Sequence, residues 1–262
     1  MIFCSLYSGS SGNSIFVASD RTKILVDAGL TGKSIISALE NIGENPQELN
    51  GILITHEHSD HIKGAGIMSR KYDIPIFANE KTWAAMERCL GSVKPHNIMV
   101  VDDRFTVRDM EITSFRVPHD AVACRGYTIA HGGEKISIAT DIGVFTEEIR
   151  RNILDSDLVL LESNHDVEML KFGPYPYDLK RRVLSEVGHL SNVDAGKAAL
   201  EILRHGRKKI VLGHLSGTNN IPELAFKTVE NIFLEEKLSI GIGQDVDLAL
   251  ASRIRPSSYT EV

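Results

Sequence analysis

The chain has 262 residues, with 29 Lys and Arg against 35 Asp and Glu, and its formal net charge of −6 argues against a protein that coats nucleic acid with a broad basic surface. Hydrophobic residues make up 42% of the sequence, but no apolar run approaches the roughly 18 residues of a membrane-spanning helix, and the N-terminus lacks the features of a secretory signal. The three cysteines, Cys4, Cys89 and Cys124, do not suggest a disulfide framework, so we expect a reducing compartment such as the cytoplasm. We expect no membrane partner.

Short apolar runs separated by turn residues predict five strands in the first part of the chain, and periodic apolar spacing predicts three helices there. The predicted strands cover 3–7, 14–18, 23–27, 51–55 and 74–78. The predicted helices cover 34–41, 61–72 and 80–90. The strand at 51–55 is apolar and runs directly into a histidine cluster.

The middle of the chain is predicted to be mostly strands, and the last third returns to alternating helices and strands. The middle strands cover 98–101, 105–107, 112–117, 126–130 and 136–139. The last third has predicted helices at 146–154, 191–205 and 221–236, with strands at 158–162, 209–212 and 239–242. Strands and helices in both halves indicate two sheets covered by helices, an α/β layered fold. No linker divides the chain, so we expect one domain over 1–262.

The histidine cluster is the string Thr-His-Glu-His-Ser-Asp-His at 55–61. Its imidazoles and carboxylates are the nitrogen and oxygen ligands that Zn²⁺ and similar divalent ions prefer. A loop that follows a buried strand can hold such side chains rigidly and aim them at one point. The alternative is a solvated acidic loop with incidental histidines. Such dense clustering by chance is improbable with only 10 histidines in the chain.

This string resembles the HxHxDH signature of the metallo-β-lactamase superfamily. Later motifs follow in an order that is also similar to that superfamily: VPHDA at 117–121, IATDIG at 138–143 and VLGHLS at 211–216. The stretches LYSGSSGNS, LVDAGLTGKSI, GHLSN and LGHLSGTNN resemble its YycJ/WalJ (VicX) branch. That branch is related to phosphodiesterases such as ribonuclease Z and is described as a 5′-to-3′ DNA exonuclease.

The resemblance implies a four-layer αββα sandwich with two divalent metal ions at one edge, between the sheets. It implies a first ion on His56, His58 and His119, a second on Asp60, His61 and His214, and a bridging carboxylate from Asp141. Two ions about 3.5–4 Å apart share a water whose pKa falls towards neutrality, giving a hydroxide nucleophile. Asp60 is expected to accept a proton from that water. The ligand set permits Zn²⁺ or Mn²⁺ and also suits Fe²⁺.

Two further histidines are candidates for the same chemistry. His189 lies in a glycine-containing turn just before a predicted helix and is similar in position to the histidine loop of ribonuclease Z. We expect it to donate a proton to the leaving oxygen or to clamp a phosphate, the alternative being a histidine that only caps or packs. His165 follows the strand at 158–162 and is a candidate substrate contact, the alternative being the start of a polar loop. Glu162 is a candidate for orienting His189 or another ligand.

Three polar residues in loops are weaker candidates for contact with substrate. Ser11 and Asn13 belong to the Gly/Ser-rich turn SGSSGN, whose N–H groups and hydroxyls suit a phosphate, although a tight hairpin needs the same glycines. Asn219 follows the LGHLSGT stretch and is otherwise an ordinary loop residue. Cys124 lies in a probable strand, so we expect a packed thiol rather than a metal ligand.

Three functions are compatible with these residues. The favoured one is a two-metal phosphodiesterase acting on nucleic acid, DNA rather than RNA, as a 5′-to-3′ exonuclease. The second is a metallo-hydrolase of a small thioester, lactone, β-lactam or cyclic phosphodiester. The third is a non-catalytic metal module, which a complete ligand set argues against because structural zinc sites are usually closed and mononuclear. The sequence leaves the oligomeric state open.

Overall fold

Two mixed β-sheets of seven strands each form the centre of the molecule, in a computed structural model that describes residues 1–206 and 208–262. The strands are β1 (Ile2–Tyr7), β2 (Ser14–Ala18), β3 (Lys23–Val26), β4 (Gly51–Leu53), β5 (Ile76–Ala78), β6 (Ile98–Val100), β7 (Arg104–Val107), β8 (Met110–Arg116), β9 (Arg125–His131), β10 (Glu134–Ala139), β11 (Leu158–Glu162), β12 (Lys208–Gly213), β13 (Val246–Leu250) and β14 (Thr260–Glu261). The first sheet has the order β14-β1-β2-β3-β4-β5-β6, and the second has the order β13-β12-β11-β10-β9-β8-β7.

Helices cover the outer face of each sheet. The described helices are α1 (Gly32–Asn41), α2 (Ser59–Ile62), α3 (Ala65–Tyr72), α4 (Glu80–Leu90), α5 (Glu147–Ile153), α6 (Val167–Phe172), α7 (Tyr177–Val183), α8 (Asn192–Leu203) and α9 (Pro222–Glu235). Apolar side chains of α1, α3 and α4 pack on the first sheet, and those of α5, α8 and α9 pack on the second. The predicted four-layer αββα sandwich is therefore confirmed.

The central strands are apolar on both faces because each face meets a different layer. In β11, Leu158 and Leu160 pack between the two sheets, whereas Val159 and Leu161 pack against the helices. Successive side chains of a strand point to opposite faces, so a strand buried on both sides needs a continuous apolar run. The unbroken apolar run at 158–161 reflects this double burial.

Parallel pairing brings the carboxyl ends of several strands to one edge of the sandwich. Strand β3 is parallel to β4, and β11 is parallel to both β10 and β12. Glu162 at the end of β11 pairs in register with Gly213 at the end of β12. The loops that follow these strands therefore start side by side, and they carry the predicted metal ligands.

Two predicted elements differ from the structure. The helix expected at 61–72 is two helices, α2 and α3, because the chain turns at Gly64, where a Cβ would lie 2.4 Å from the carbonyl oxygen of Leu30. The prediction of a strand at 239–242 is wrong. Gly241 and Gly243 adopt φ of 141° and 88°, so the chain turns there and the last long strand starts at Val246. The short elements α6, α7 and β14 were not predicted.

The described helices also bear on the membrane. None of them is both long enough and apolar enough to span a bilayer.

Candidate metal centre

The structure brings together all seven predicted metal ligands, although they come from distant parts of the sequence. Each residue stands at or just after the end of a strand, or in the short helix α2 that follows β4. The ligands and their neighbours form groups whose candidate donor atoms lie within 4.8 Å of one another: His56, His58 and His119; Asp60, His61 and His214; His56, His61 and Asp141; and Asp141, Glu162, His189 and His214.

The group of His56, His58 and His119, called here the imidazole cluster, contains no carboxylate. The ring centroid of His56 lies 4.6 Å from that of His58 and 5.1 Å from that of His119. The hydroxyl of Thr55 lies 3.0 Å from Nδ1 of His56, and Nδ1 of His119 donates to the carbonyl of Gly188 at 3.2 Å. Burial and the neighbouring imidazoles hold the pKa of His56 well below its usual value, so this ring is neutral at neutral pH.

The group of Asp60, His61 and His214, called here the carboxylate cluster, lies beside the first and shares Asp141 with it. Nε2 of His61 lies 3.6 Å from Oδ2 of Asp60 and 3.4 Å from Oδ2 of Asp141. Nε2 of His214 lies 3.4 Å from Oδ1 of Asp141, and Nε2 of His119 lies 3.7 Å from the same oxygen. Asp141 therefore stands between the two clusters, as a bridging carboxylate must.

Two buried carboxylates orient the histidines of the carboxylate cluster. Asp27 accepts a hydrogen bond from Nδ1 of His61 at 2.7 Å. Oε1 of Glu162 lies 2.8 Å from Nδ1 of both His189 and His214, and its Oε2 accepts the backbone N–H of Ile142 and of Leu190. Such partners fix the ring so that Nε2 points at a metal. Burial opposes a charged ring, but the carboxylates of Asp141, Asp27 and Asp60 raise the pKa of His61 to about 9.

The backbone at this edge is strained in a way that serves the site. Asp27, Asp141 and His214 have φ of 62°, 59° and 55°. These values lie in the left-handed region that residues other than glycine seldom adopt. Each of these residues closely follows the end of a strand, and each side chain contacts another residue of the centre. Backbone strain of this kind costs about 1–3 kcal/mol per residue and concentrates at functional sites.

Unsatisfied atoms indicate that the centre is built for a cation. Among the described residues, Nε2 of His56, Nε2 of His214 and Oδ2 of Asp141 are buried without any hydrogen-bond partner. Buried polar atoms in native proteins nearly always have a partner, so these three atoms need a ligand that the chain does not supply. Imidazole nitrogens and carboxylate oxygens are suitable donors for Zn²⁺ or Mn²⁺, so the residues fit divalent metal ions.

His189 lies against the same centre. Its ring centroid is 5.1 Å from that of His119 and 5.3 Å from that of His214. Because Nδ1 is bonded to Glu162, its other ring nitrogen, Nε2, remains available to a substrate. Its side chain is 18% exposed, whereas that of His214 is 1% exposed. The structure therefore places His189 at the opening of the centre.

The four predicted substrate contacts lie in different surroundings. Ser11 is exposed, whereas Asn13, His165 and Asn219 are buried. Asn13 Nδ2 lies 3.1 Å from Nε2 of His61, and its Oδ1 accepts the N–H of Gly9. Both ring nitrogens of His165 and the side-chain oxygen of Asn219 have no partner among the described residues. Burial lowers the pKa of His165 to about 4. The contacts of these residues with substrate stay predictions.

Two residues close to the metal ligands were missed by sequence reasoning. Asp27 follows an apolar strand as Asp141 does, and this position was the available signal. Asp120 adjoins His119 in sequence, and its Oδ1 lies 3.2 Å from Nε2 of that histidine. Asp120 also pairs with Arg182 of α7, which brings one positive charge to the edge of the imidazole cluster.

Comparison with known proteins agrees with this architecture. Residues 22–215 match a family described as the Beta-lactamase superfamily domain. The chain is 44% identical over 248 residues to "Exodeoxyribonuclease YycJ" of Bacillus anthracis, an alignment that covers 94% of this chain and 93% of that protein. It is 45% identical over 241 residues to "Exodeoxyribonuclease WalJ" of Streptococcus pneumoniae, covering 90% of each protein.

The fold also matches solved structures of low sequence identity. The metallo-β-lactamase fold protein YhfI from Bacillus subtilis superposes with a TM-score of 0.72 at 17% identity. That match covers 98% of this chain and 100% of YhfI. The layered arrangement is therefore common to chains whose sequences have diverged widely.

Proposed function

Because the chain belongs to the metallo-β-lactamase superfamily, and within it to the group of the YycJ and WalJ proteins, we propose that it is a metal-dependent exodeoxyribonuclease that degrades DNA from the 5′ end. The observation that carries this proposal is the complete set of seven ligands gathered around unpartnered buried donor atoms. We further propose that residues 1–262 act as one hydrolase domain, because both sheets contribute to the apolar cluster between them.

The metal ligands are assigned as the sequence predicted. His56, His58 and His119 would hold one divalent ion, Asp60, His61 and His214 would hold the other, and Asp141 would bridge them. Zn²⁺ and Mn²⁺ are the proposed ions, and the donor set also suits Fe²⁺. When bound, the ions would promote ionisation of the attacking water and neutralise charge on the scissile phosphate.

Asp60 is the proposed general base. Its side chain is 26% exposed, whereas that of Asp141 is 3% exposed, so Asp60 is the more accessible of these two ligand carboxylates. A carboxylate fixed next to the attacking water is positioned to accept its proton. Asp141, enclosed by His61, His119 and His214, is instead placed to bridge the ions.

His189 is the proposed general acid, and Glu162 is its positioning residue. The carboxylate of Glu162 lies 2.8 Å from Nδ1 of His189, which stabilises the protonated ring and leaves Nε2 to donate. Burial alone opposes a charged ring, but Glu162 and Asp141 raise the pKa of His189. A protonated His189 would transfer its Nε2 proton to the leaving oxygen when the phosphodiester bond breaks.

Four residues around the centre are proposed to contact the substrate. Ser11 offers an exposed hydroxyl, and Asn13 joins the same turn to His61. His165 and Asn219 have unpartnered buried polar atoms, which a substrate group or an ordered water would satisfy. These contacts are supported less directly than the metal ligands.

The proposal is tested by incubating the purified protein with Mn²⁺ or Zn²⁺ and a 5′-phosphorylated DNA strand. We expect mononucleotides to be released from the 5′ end and Asp60→Ala to abolish release. Asp155→Ala, at an exposed aspartate, is the matched control and should retain full activity. An Asp60→Ala protein that still digests DNA would contradict the site. Turnover of acyl-glutathione thioesters without any DNA cleavage would contradict the proposed substrate.

A further inference from the structure

We propose that Arg253, in the segment after β13, binds a non-scissile phosphate of the DNA strand that is being cut, an inference that rests on the proposed nuclease function. Arg253 lies far from the metal ligands in sequence, and no motif pointed to it. Its side chain lies across two loops that border the metal centre.

Two glycines allow Arg253 to lie directly on the backbone of these loops. A Cβ on Gly9 would lie 2.6 Å from Cγ of Arg253, and a Cβ on Gly217 would lie 2.1 Å from its Nη1. Real Cβ atoms do not approach so closely, so any larger residue would displace the arginine. The aliphatic part of the side chain therefore rests on the turn at 8–14, and the guanidinium rests on the loop after His214.

Both loops are tied directly to metal ligands. The hydroxyl of Ser8 accepts the N–H of His214 at 2.9 Å, and Gly9 pairs with Leu215 in an isolated bridge. On the other side of the turn, Asn13 joins the N–H of Gly9 to Nε2 of His61. One asparagine side chain thus separates the backbone under Arg253 from a metal-facing nitrogen.

The guanidinium has no protein partner in the described part of the chain. The arginines that form ion pairs or side-chain hydrogen bonds there are Arg70, Arg108, Arg125, Arg150, Arg151 and Arg182. A guanidinium presents five N–H donors in a planar fork that matches phosphate oxygens. An arginine that served only to hold the two loops would use these donors on loop carbonyls, which Arg253 does not do.

The turn beneath Arg253 also offers hydroxyl groups to a phosphate. Ser10 and Ser11, which follow Gly9, are exposed and offer hydroxyl donors. Arg182 at the edge of the imidazole cluster is already paired with Asp120, so its charge is partly neutralised. Arg253 therefore brings to the two loops that border the metal centre a positive charge that no ion pair among residues 1–206 and 208–262 neutralises.

The first test is binding without catalysis. Single-stranded DNA is titrated with protein in EDTA at several salt concentrations, and the dissociation constant is read from fluorescence anisotropy. Each phosphate neutralised on a single strand contributes about 0.7 to the slope of log affinity against log salt. We expect Arg253→Gln to reduce the slope by about this amount and Arg253→Lys to restore most of it. Arg255→Gln, at an exposed neighbouring arginine, is the matched control and should keep the slope of the parent protein.

The second test compares kinetics on substrates with and without a further phosphate. Arg253→Gln should raise KM for an oligonucleotide about tenfold. It should raise KM less for bis(4-nitrophenyl) phosphate, which carries only the scissile phosphate. A loss confined to 5′-phosphorylated strands would identify the terminal phosphate, and an equal loss on 5′-hydroxyl strands would identify an internal one.

Three outcomes are decisive. An unchanged salt slope in Arg253→Gln overturns the inference. An equal rise in KM for the oligonucleotide and for bis(4-nitrophenyl) phosphate, with a lowered thermal unfolding midpoint, also overturns it. Arg253 would then only support the loops. A parent protein that hydrolyses the small diester but cleaves no DNA with Mn²⁺ or Zn²⁺ present overturns the proposed nuclease function instead, and it does so whatever Arg253 contributes.

Discussion

The two halves of the metal centre are built on different physical principles. In the imidazole cluster, a hydroxyl and a backbone carbonyl hold the buried rings of His56 and His119. The carboxylate cluster surrounds His61 and His214 with Asp27, Asp141 and Glu162. In the first half, burial lowers the pKa of His56 and His119 and favours their neutral forms. In the second, carboxylates hold protons on the rings despite burial.

We therefore infer that the two proposed metal positions are not equivalent. Neutral imidazoles are ready to bind a cation at neutral pH, whereas protonated rings must release a proton first. The carboxylates around His61 and His214 also supply the negative charge that would stabilise a second cation. The carboxylate cluster also contains Asp60 and adjoins His189, so the proposed proton transfers belong to this half.

Removing the bridge should have the largest effect, because Asp141 is shared by both halves. We expect Asp141→Ala to lower DNA cleavage at least about 10³-fold and to reduce the metal content per chain, since a displacement that needs two ions loses their common ligand. Metal content is measured by elemental analysis after gel filtration. An Asp141→Ala protein that keeps both ions would mean that the two clusters are independent.

The second prediction concerns Glu162, which serves the carboxylate cluster and His189 together. Glu162→Gln keeps the size of the side chain but removes its charge, so we expect kcat to fall about 10²-fold through loss of general acid catalysis. The pH–rate profile should report this loss. An altered His189 changes the shape of the profile, whereas simple unfolding lowers the rate equally at every pH. Glu168→Gln, at an exposed glutamate, is the control and should have no effect.

The third prediction tests whether the orienting carboxylates act on one half only. Asp27→Asn should lower the affinity of the carboxylate cluster for its metal by about 10–100-fold, the usual cost of losing such a partner of a metal-binding histidine. The metal in the imidazole cluster should stay bound. Stepwise removal with a chelator measures the two affinities. Asp20→Asn at an exposed position is the control. Equal weakening of both metals would contradict the division into halves.

The smallest predicted effect uses His165, a buried imidazole whose ring has no hydrogen-bond partner among the described residues. Because its pKa in the folded protein is about 4, below that of an unfolded histidine, the unfolded chain takes up the extra proton as the pH falls through about 6.5. The free energy of unfolding should therefore decrease as the solution becomes more acidic.

This decrease is measured by urea unfolding in EDTA. Between pH 7 and pH 5.5 the parent protein should lose about 1 kcal/mol more stability than His165→Gln, which has no such proton to take up. His205→Gln, at an exposed histidine, should behave like the parent protein. No difference between the parent protein and His165→Gln would mean that burial alone does not exclude protons from this ring, and would weaken the explanation given for the imidazole cluster.

Much of the scaffold followed from local pattern. Continuous apolar runs such as that at 158–161 predict buried strands, and most predicted strands and helices are present in the structure. The exceptions have local physical causes, because glycines at 241 and 243 turn the chain where a strand was expected. Resemblance to known motifs supplied the candidate ligands, since residue types in a fixed order can be read directly from the sequence.

Only the tertiary structure decided how these residues act together. It showed that Asp27 is bonded to His61 and Glu162 to His214 within one cluster, and that Arg253 lies on loops some 240 and 40 positions away in the chain. Such contacts depend on parallel strands ending at the same edge and on left-handed backbone conformations at Asp27, Asp141 and His214, which few residues other than glycine adopt. Sequence determines which side chains are available, whereas packing determines which of them meet, because contacts between distant segments are fixed by the sheets and not by neighbouring residues.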